Sequence, residues 1–327
     1  MKVLVTGATG FLGSNLAHHL VARGDTVRIL KRARSSLALL EGLPVEAATG
    51  DVTDLDSLVE AARGVEGIYH VAGLISYWKP KRAWQYKVNV EGVRNVMDAA
   101  VKNGVRRVVH TSSISAVGYR ADGRPSDETV AWNWERLDSG YMTTKHLGED
   151  EALRGPARGV EVVVVNPALI IGPRDINWSS GRMFKIVSQR NGLAIPDGAN
   201  TTCDVDDVCR GHIAAMERGR SGERYILGGE YWRYPDLFRA IAEVMGRPFR
   251  VRILPRWIPM VAAYGLYGLS LVTRQEPPIT PELLRVASHS RHYLSDKAIR
   301  ELGYPQTPLR TTLEKTYRWY KENGYLP

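Results

Sequence analysis

The chain opens on a short aliphatic and β-branched run, Val3-Leu4-Val5-Thr6, and passes directly into Gly7-Ala8-Thr9-Gly10-Phe11-Leu12-Gly13. An amphipathic segment follows, from Asn15 to Arg23. This pattern predicts a buried strand, a tight turn and the opening of a helix. Residues 25–30 alternate like a second strand, and Val45-Glu46-Ala47-Ala48 is a short third one leading to Gly50-Asp51-Val52. Thr53-Asp54-Leu55-Asp56 has the form of a capped helix start. Residues 67–73 predict a fourth buried strand ending in small residues. A long helix is expected through residues 89–102, and residues 106–110 form a fifth strand. Residues 138–153 read as helical, and residues 160–165 are a near-continuous valine run, as buried parallel strands require. Alternating β and α units of this kind predict an α/β fold of the Rossmann type, a doubly wound parallel sheet with helices on both faces.

The three glycines have separate uses. Gly7 permits the turn, Gly10 lets the backbone come close to a ligand, and Gly13 lets the helix sit tight against the strand. The helix N-terminus then offers unpaired N–H groups and partial positive charge to a pyrophosphate. Residues 1–168 and 201–228 are accordingly expected to form a dinucleotide-binding domain, with Arg224-Tyr225-Ile226-Leu227 rejoining the sheet. After Asn166 the regular alternation is lost, as in Gly172-Pro173-Arg174-Asp175 and Trp178-Ser179-Ser180-Gly181. Residues 169–200 and 229–327 are therefore expected to form a smaller, mostly C-terminal substrate-binding lobe. Residues 258–272 carry no charge. That stretch is short for a bilayer span and is interrupted by Pro259, Gly265 and Gly268, so it predicts a buried or pocket-lining helix.

Where the second strand ends, an acid would bond the ribose 2′-hydroxyl of NAD, and a basic residue would accommodate the 2′-phosphate of NADP. Lys31-Arg32 stands there, with Arg34 nearby and no acid at the strand end. An Arg–phosphate contact is charge-assisted and geometrically specific, so the expected cofactor is NADP.

Composition narrows the partners. The net charge of +9 is dispersed apart from short groups such as Lys31-Arg32-Ala33-Arg34 and Lys79-Pro80-Lys81-Arg82, without any nucleic-acid recognition pattern. The excess is read as solvated surface and cofactor contact, not nucleic-acid binding. Met1-Lys2 runs straight into the first strand, which predicts a cytoplasmic protein. Cys203 and Cys209 match no metal or disulfide spacing. The histidine pairs, His18-His19 and His289-x-x-His292, lack a neighbouring Cys or carboxylate cluster, so no metal is expected.

Tyr141-Met142-Thr143-Thr144-Lys145 begins the helix before the valine strand. Four residues make about one turn, so phenol and ammonium share a face. A free tyrosine titrates near pH 10, and a neighbouring cation favours the phenolate. Thr111-Ser112-Ser113 ends the fifth strand, at the crevice where ligands of open α/β sheets bind. A serine hydroxyl there is placed to bond a substrate oxygen while Tyr141 exchanges its proton. Together these features predict a redox site.

The chain resembles an extended short-chain dehydrogenase/reductase over essentially its whole length. The resemblance rests on Thr6-Gly7-x-x-Gly10-x-x-Gly13, Asp51-Val52, His70-Val71-Ala72, Asn89, Thr111-Ser112-Ser113, Tyr141-x-x-x-Lys145 and Asn166-Pro167. It is most similar to the dihydroflavonol 4-reductase-like group. It also resembles bacterial hopanoid-associated sugar epimerase-like proteins, through Asn166-Pro167-Ala168, Gly172-Pro173-Arg174-Asp175 and Tyr225-Ile226-Leu227-Gly228-Gly229-Glu230. The resemblance implies Tyr141 as general acid/base, Lys145 as holder of the nicotinamide ribose and tuner of Tyr141, and Ser113, or else Ser112, as the group orienting the carbonyl. It implies Gly7, Gly10, Phe11, Leu12 and Gly13 at the pyrophosphate, Lys31 and Arg32 at the 2′-phosphate, and Asp51 and Val52 beside the adenine. Ala72 and Gly73 would lie along the cofactor and Pro167 beside the nicotinamide, with Asn89 architectural. A homodimer through sheet-domain helices is a further expectation from the family.

Three readings follow. The first is an NADPH-dependent reductase of a small-molecule ketone or aldehyde. The second is an NAD(P)-dependent nucleotide-sugar epimerase or dehydratase, and the third a non-catalytic cofactor-binding sensor. Nucleotide-sugar enzymes often carry an Arg-Asp-Tyr/Phe-Val/Ile-His-Val run, where this chain has Asn200-Thr201-Thr202-Cys203-Asp204-Val205. Arg300 matches a second arginine position of those enzymes. The candidate pocket, Tyr77, Trp78, Tyr119, Trp132, Trp134, Trp178, Met183 and Phe184, suits a flat or apolar carbonyl compound.

Overall fold

The computed structural model describes all 327 residues, Met1–Pro327. The first half is built from β1 (Lys2–Thr6), α1 (Phe11–Ala22), β2 (Thr26–Lys31), β3 (Val45–Thr49), α2 (Leu55–Ala61), β4 (Gly67–His70), α3 (Arg82–Tyr86), α4 (Gly92–Lys102), β5 (Arg107–Thr111), α5 (Gly140–Leu153) and β6 (Glu161–Pro167). Beyond it come β7 (Leu169–Ile171), α6 (Arg182–Gln189), β8 (Gly192–Pro196), β9 (Ala199–Asp204), α7 (Val205–Arg218), β10 (Arg224–Leu227), β11 (Tyr231–Arg233) and α8 (Tyr234–Val244). The chain ends with β12 (Arg250–Leu254), α9 (Trp257–Thr273), α10 (Pro281–Ala287), β13 (Ser290–Arg291), α11 (Asp296–Leu302) and α12 (Leu309–Glu322).

Seven strands form one parallel sheet in the order β3-β2-β1-β4-β5-β6-β10. The valine run explains its centre. On β6, Val163 and Val165 face a core shared with α1 and α7, while Val162 and Val164 face one shared with α2, α4 and α5. A strand apolar on both faces is stable only between two helical layers, and each buried valine contributes roughly 1.5–3 kcal/mol. The strand order reverses between β1 and β4, which opens a crevice at their C-terminal ends.

The remaining strands make two small sheets, one joining β7, β11 and β13 to β9 and one pairing β12 with β8. Their core is filled from α6, α8 and α12, including Phe184, Leu237, Ile241, Leu313 and Tyr320. β9 lies in the smaller sheet, while α11 returns to pack Ala298 and Leu302 into the core of the large one.

Three local features differ from the pattern-based expectation. The helix expected over 89–102 is α3, a wide π-helical turn at Lys87–Glu91, and α4. That turn carries Asn89, whose amide bonds both the N–H and C=O of Leu74 and the Thr144 hydroxyl. α5 starts at Gly140 because Ser139 caps it, Asp138 lying in the left-handed region at φ 47°. The third difference is a correction: the uncharged helix α9 is not buried. Only Ala263 and Ser270 are, while Trp257 is 68% exposed, Val261 67% and Val272 82%. Its apolar character runs all round, so the sequence marks no inward face.

Beneath the crevice lie three buried histidines. His70 stacks on His110 with ring centroids 5.3 Å apart, His70 Nδ1 meets Thr6 Oγ1 at 2.7 Å, and His212 Nε2 meets Thr111 Oγ1 at 2.8 Å. Burial lowers His70 to about 3 and His212 to about 4, and His110 also falls well below 6.5. The unfolded chain therefore takes up protons between pH 6.5 and about 4 that the folded chain refuses. Stability is expected to fall as pH drops through that window, by about 1.4 kcal/mol per pH unit for each such histidine, with no such loss above pH 6.5. Urea midpoints at pH 7.5 and 5.0 measure this, and His110→Leu should lose less on acidification than the wild type. Equal acid sensitivity in the two proteins would contradict burial of a neutral His110.

Candidate active site

The β1–α1 turn is closed by contacts that leave no room for side chains. Gly7 sits at φ 72°, and a Cβ there would stand 2.7 Å from the Ala72 nitrogen. A Cβ on Gly13 would come within 2.2 Å of the Gly7 carbonyl oxygen. Gly10 meets nothing nearer than that same oxygen at 3.3 Å, so its bare face is turned outward. The helix has neither a side-chain cap nor an acid in its first turn, and the Phe11, Leu12 and Gly13 N–H groups have no backbone acceptor. A free helix N-terminus behind an outward-facing glycine fits the pyrophosphate of a dinucleotide.

Beside it is a cleft of about 600 Å³ lined by Arg32, Ala33, Arg34, Ser35, Thr49, Gly50, Asp51 and Asp54. Arg32 and Arg34 are exposed there. The Asp51 carboxylate is already occupied, accepting from the Thr53 N–H and hydroxyl at 2.9 Å. Lys31, the last residue of β2, is absent from that lining. Val52 is buried against Gly92.

The opposite wall comes from the ends of β4, β5 and β6. Thr6 Oγ1 accepts from the Ala72 N–H, which fixes the chain leaving β4. At the end of β5, Ser113 caps a short turn through Ser115 and faces Tyr141. Ser112, the alternative, has a buried hydroxyl without a partner. Asn166, next to Pro167, donates to the Ser113 carbonyl at 3.0 Å and to Glu149 at 2.6 Å. Lys145 lies one turn along α5 from Tyr141, and a Cβ on Gly73 would stand 3.8 Å from its ammonium. Ser113, Tyr141, Lys145 and Gly73 thus border one crevice.

Electrostatics in the crevice are set by burial. It raises the Tyr141 phenol above 10, opposed by the Ser113 hydroxyl and by the charge of Arg291. It lowers Lys145 to about 8, opposed by Glu149. The ammonium donates to the Thr111 carbonyl at 2.7 Å. Of the cations, Arg291 acts on the Tyr141 phenol in the protein alone, while the Lys145 ammonium is engaged by the Thr111 carbonyl.

Of the expected pocket residues, Tyr77 and Tyr119 cluster with Tyr141, and the Tyr77 ring meets that of Tyr141 edge-on at 5.6 Å. Trp132 and Trp134 belong to the same cluster, their indole N–H groups held by the Ser115 and Val117 carbonyls. Trp78 is buried and donates to Ser270 of α9 at 3.0 Å. Trp178, Met183 and Phe184 are corrected. They pack in the core of the smaller lobe, where Trp178 stacks on Tyr320 at 5.1 Å. Arg300 is corrected too, since it lines a polar cleft with Arg220, Glu223 and Glu301 at the N-terminal edge of β10, the far end of the sheet. The sequence reading missed Arg291, whose only local mark is one arginine between polar residues.

A family model, "NAD dependent epimerase/dehydratase family", matches residues 3–228. The chain is 34% identical over 327 residues to the putative dihydroflavonol 4-reductase of Synechocystis sp., covering 98% of this chain and 95% of that protein. It is 36% identical over 334 residues to sterol demethylase protein B of Methylococcus capsulatus, covering 100% of each. The crystal structure of gox2253 superposes with a TM-score of 0.85 at 35% identity, over 100% of this chain and 99% of that one. With the glycine turn, the reversed strand order and the Tyr141/Lys145 helix in place, the chain belongs to the NAD dependent epimerase/dehydratase family, as a nicotinamide-dinucleotide-dependent oxidoreductase of the extended short-chain dehydrogenase/reductase type.

Proposed function

We propose that the protein is an NADPH-dependent reductase of ketones or aldehydes, in which Tyr141 is the general acid. The observation that carries this reading is the convergence of Ser113, Tyr141 and Lys145 on the crevice beside Gly73. When bound, the reduced nicotinamide supplies the hydride. Ser113 donates a hydrogen bond to the substrate carbonyl oxygen and orients it. Tyr141, which burial keeps protonated at neutral pH, gives its proton to that oxygen as negative charge develops. Lys145, held by the Thr111 carbonyl, fixes the nicotinamide ribose against the β5 end. Tyr77 and Tyr119 supply an aromatic wall for the rest of the substrate.

Similarity to a putative dihydroflavonol 4-reductase supports carbonyl reduction. Arg32 and Arg34 line the cleft beyond β2, where the Asp51 and Asp54 carboxylates that share it are engaged by Thr53 and by the start of α2, and this supports NADP. The nucleotide-sugar reading has less behind it, because Asn200 replaces an expected arginine and Arg300 lies at the far end of the sheet. A sensor has no use for the Tyr141/Lys145 pair.

Tyr141→Phe is expected to lower kcat for NADPH-dependent reduction of aryl ketones or aldehydes by at least a hundredfold, while leaving the dissociation constant for NADPH within about threefold. Undiminished NADPH oxidation in this variant would remove Tyr141 as the acid. Arg32→Ala is expected to weaken NADPH binding about tenfold or more and NADH binding hardly at all. Titrating both cofactors into both proteins measures the difference, and equal losses would overturn the 2′-phosphate assignment.

A further inference from the structure

Arg291 ends β13, in register with Asn200 of β9. It is only 8% exposed, yet its Nε has no partner, and its one hydrogen bond is a long contact from Nη2 to the Tyr234 hydroxyl, 3.3 Å. Burial is the main influence on it, and no carboxylate pairs with it; its polar neighbours are phenols, Tyr234 first. The Asn200 side-chain oxygen is likewise buried without a partner. Taking a guanidinium out of water without an opposing anion costs far more than one neutral hydrogen bond returns. A buried, unpaired cation of this kind is a candidate site for an anion arriving from outside. The Tyr77 and Tyr141 rings, which meet edge-on at 5.6 Å in one cluster, both lie within range of its charge, so that anion would sit in the carbonyl pocket. One buried cation balances one negative charge, which fits a carboxylate better than a diphosphate.

We propose that Arg291 binds a carboxylate on the substrate, so that the pocket takes oxo acids, carbonyl compounds whose chain bears one carboxyl group. This rests on the reductase reading and narrows it. The test uses oxo acids with the carbonyl at C2 to C5 and their methyl esters, titrated calorimetrically into the protein saturated with NADP+, with NADPH oxidation followed in parallel. At least one acid is expected to bind tenfold or more tighter than its ester. Arg291→Gln should abolish that preference while ester binding stays within about threefold, and Arg291→Lys should keep part of it. Thermal melts of both variants report folding, with the lysine variant as the folded control. Equal binding of acids and esters, no binding of any acid, or a preference surviving in Arg291→Gln would each overturn the proposal. An acid that binds through Arg291 but is not reduced would instead count against the reductase reading.

A different observation concerns α9, which keeps apolar side chains such as Trp257, Val261, Tyr264, Leu269 and Val272 in solvent. A contiguous apolar surface of that kind marks a contact site. Its borders are basic. Arg256 precedes the helix and Arg274 ends it, while Arg250 and Arg252, on the strand that leads into it, are exposed. Of these, Arg256 reaches the Ser288 carbonyl, whereas the bordering acid, Glu276, is taken by Lys81 and Ser76. A second copy docking symmetrically would bring these arginines against one another. Anionic lipid headgroups would neutralise them while the apolar face enters the acyl boundary. No helix is long and apolar enough to cross a membrane, so the contact would be one of lying on the surface.

We infer that α9 docks the protein on an anionic lipid surface. Vesicles of phosphatidylcholine with and without equal phosphatidylglycerol are sedimented with the protein at low and high salt. At least tenfold more protein is expected on the anionic vesicles at low salt, falling with salt. Val261→Glu with Val272→Glu, both at exposed positions, should remove the binding. Failure of the wild type to sediment, or binding unaltered by the substitutions, overturns the inference. So does a dimer abolished by the same substitutions without vesicle binding.

Discussion

The close seating of α1 on β1 is the constraint from which the rest of the molecule takes its position. It exists because Gly7 and Gly13 lack side chains: a Cβ on either would collide with backbone, Ala72 in one case and Gly7 in the other. The first collision joins the turn to the chain leaving β4, and Thr6 strengthens the junction by bonding both the Ala72 N–H and His70. Two strand ends and a helix N-terminus are thereby locked around one opening. The glycine turn, Ser113, Tyr141 and Lys145 are placed relative to that opening by the parallel sheet, whereas Arg291 comes from the smaller one.

The same burial that stabilises the sheet sets the chemistry at its edge. It pushes Tyr141 up and Lys145 down to about 8, so the two move apart in proton affinity and the phenol holds its proton more tightly than the ammonium does. A phenol raised above its ordinary value holds its proton at neutral pH and releases it only to a developing oxyanion. That behaviour agrees with the proposed role of Tyr141 as the acid of a reduction. The histidine layer below is kept uncharged by the same exclusion of water, leaving Lys145 as a positive charge whose nearest acceptor is a backbone carbonyl.

Much of this was legible in the sequence because it depends on local pattern. The valines of β6, the glycine spacing and the Tyr141-x-x-x-Lys145 turn each fix one element, and alternation of elements fixes the parallel sheet. What escaped depends on contacts between distant segments. The π-helical turn at Lys87–Glu91 follows from what Asn89 must reach, Leu74 and Thr144, not from propensity. Trp178 and Met183 are apolar residues near a predicted pocket, but they face Tyr320 and the core of the smaller lobe. α9 reads as buried because apolar composition alone carries no direction. Arg291 was invisible because sequence shows an arginine's charge but not its loss of water.

As a carboxylate site, Arg291 would also link recognition to proton transfer. In the protein alone its charge favours the Tyr141 phenolate and so holds the phenol below the value that burial would otherwise impose. An anion paired with that guanidinium cancels the effect. Opposite charges at close range in a dry site neutralise one another's field, and the phenol binds its proton more tightly. Arrival of a carboxylate-bearing substrate would therefore leave Tyr141, already protonated at neutral pH, a tighter holder of its proton. A neutral compound in the same pocket leaves Arg291 uncompensated and the phenol a weaker holder of its proton. Selection for the anion would then act through affinity, set against a phenol that gives up its proton less readily, without any movement of the backbone.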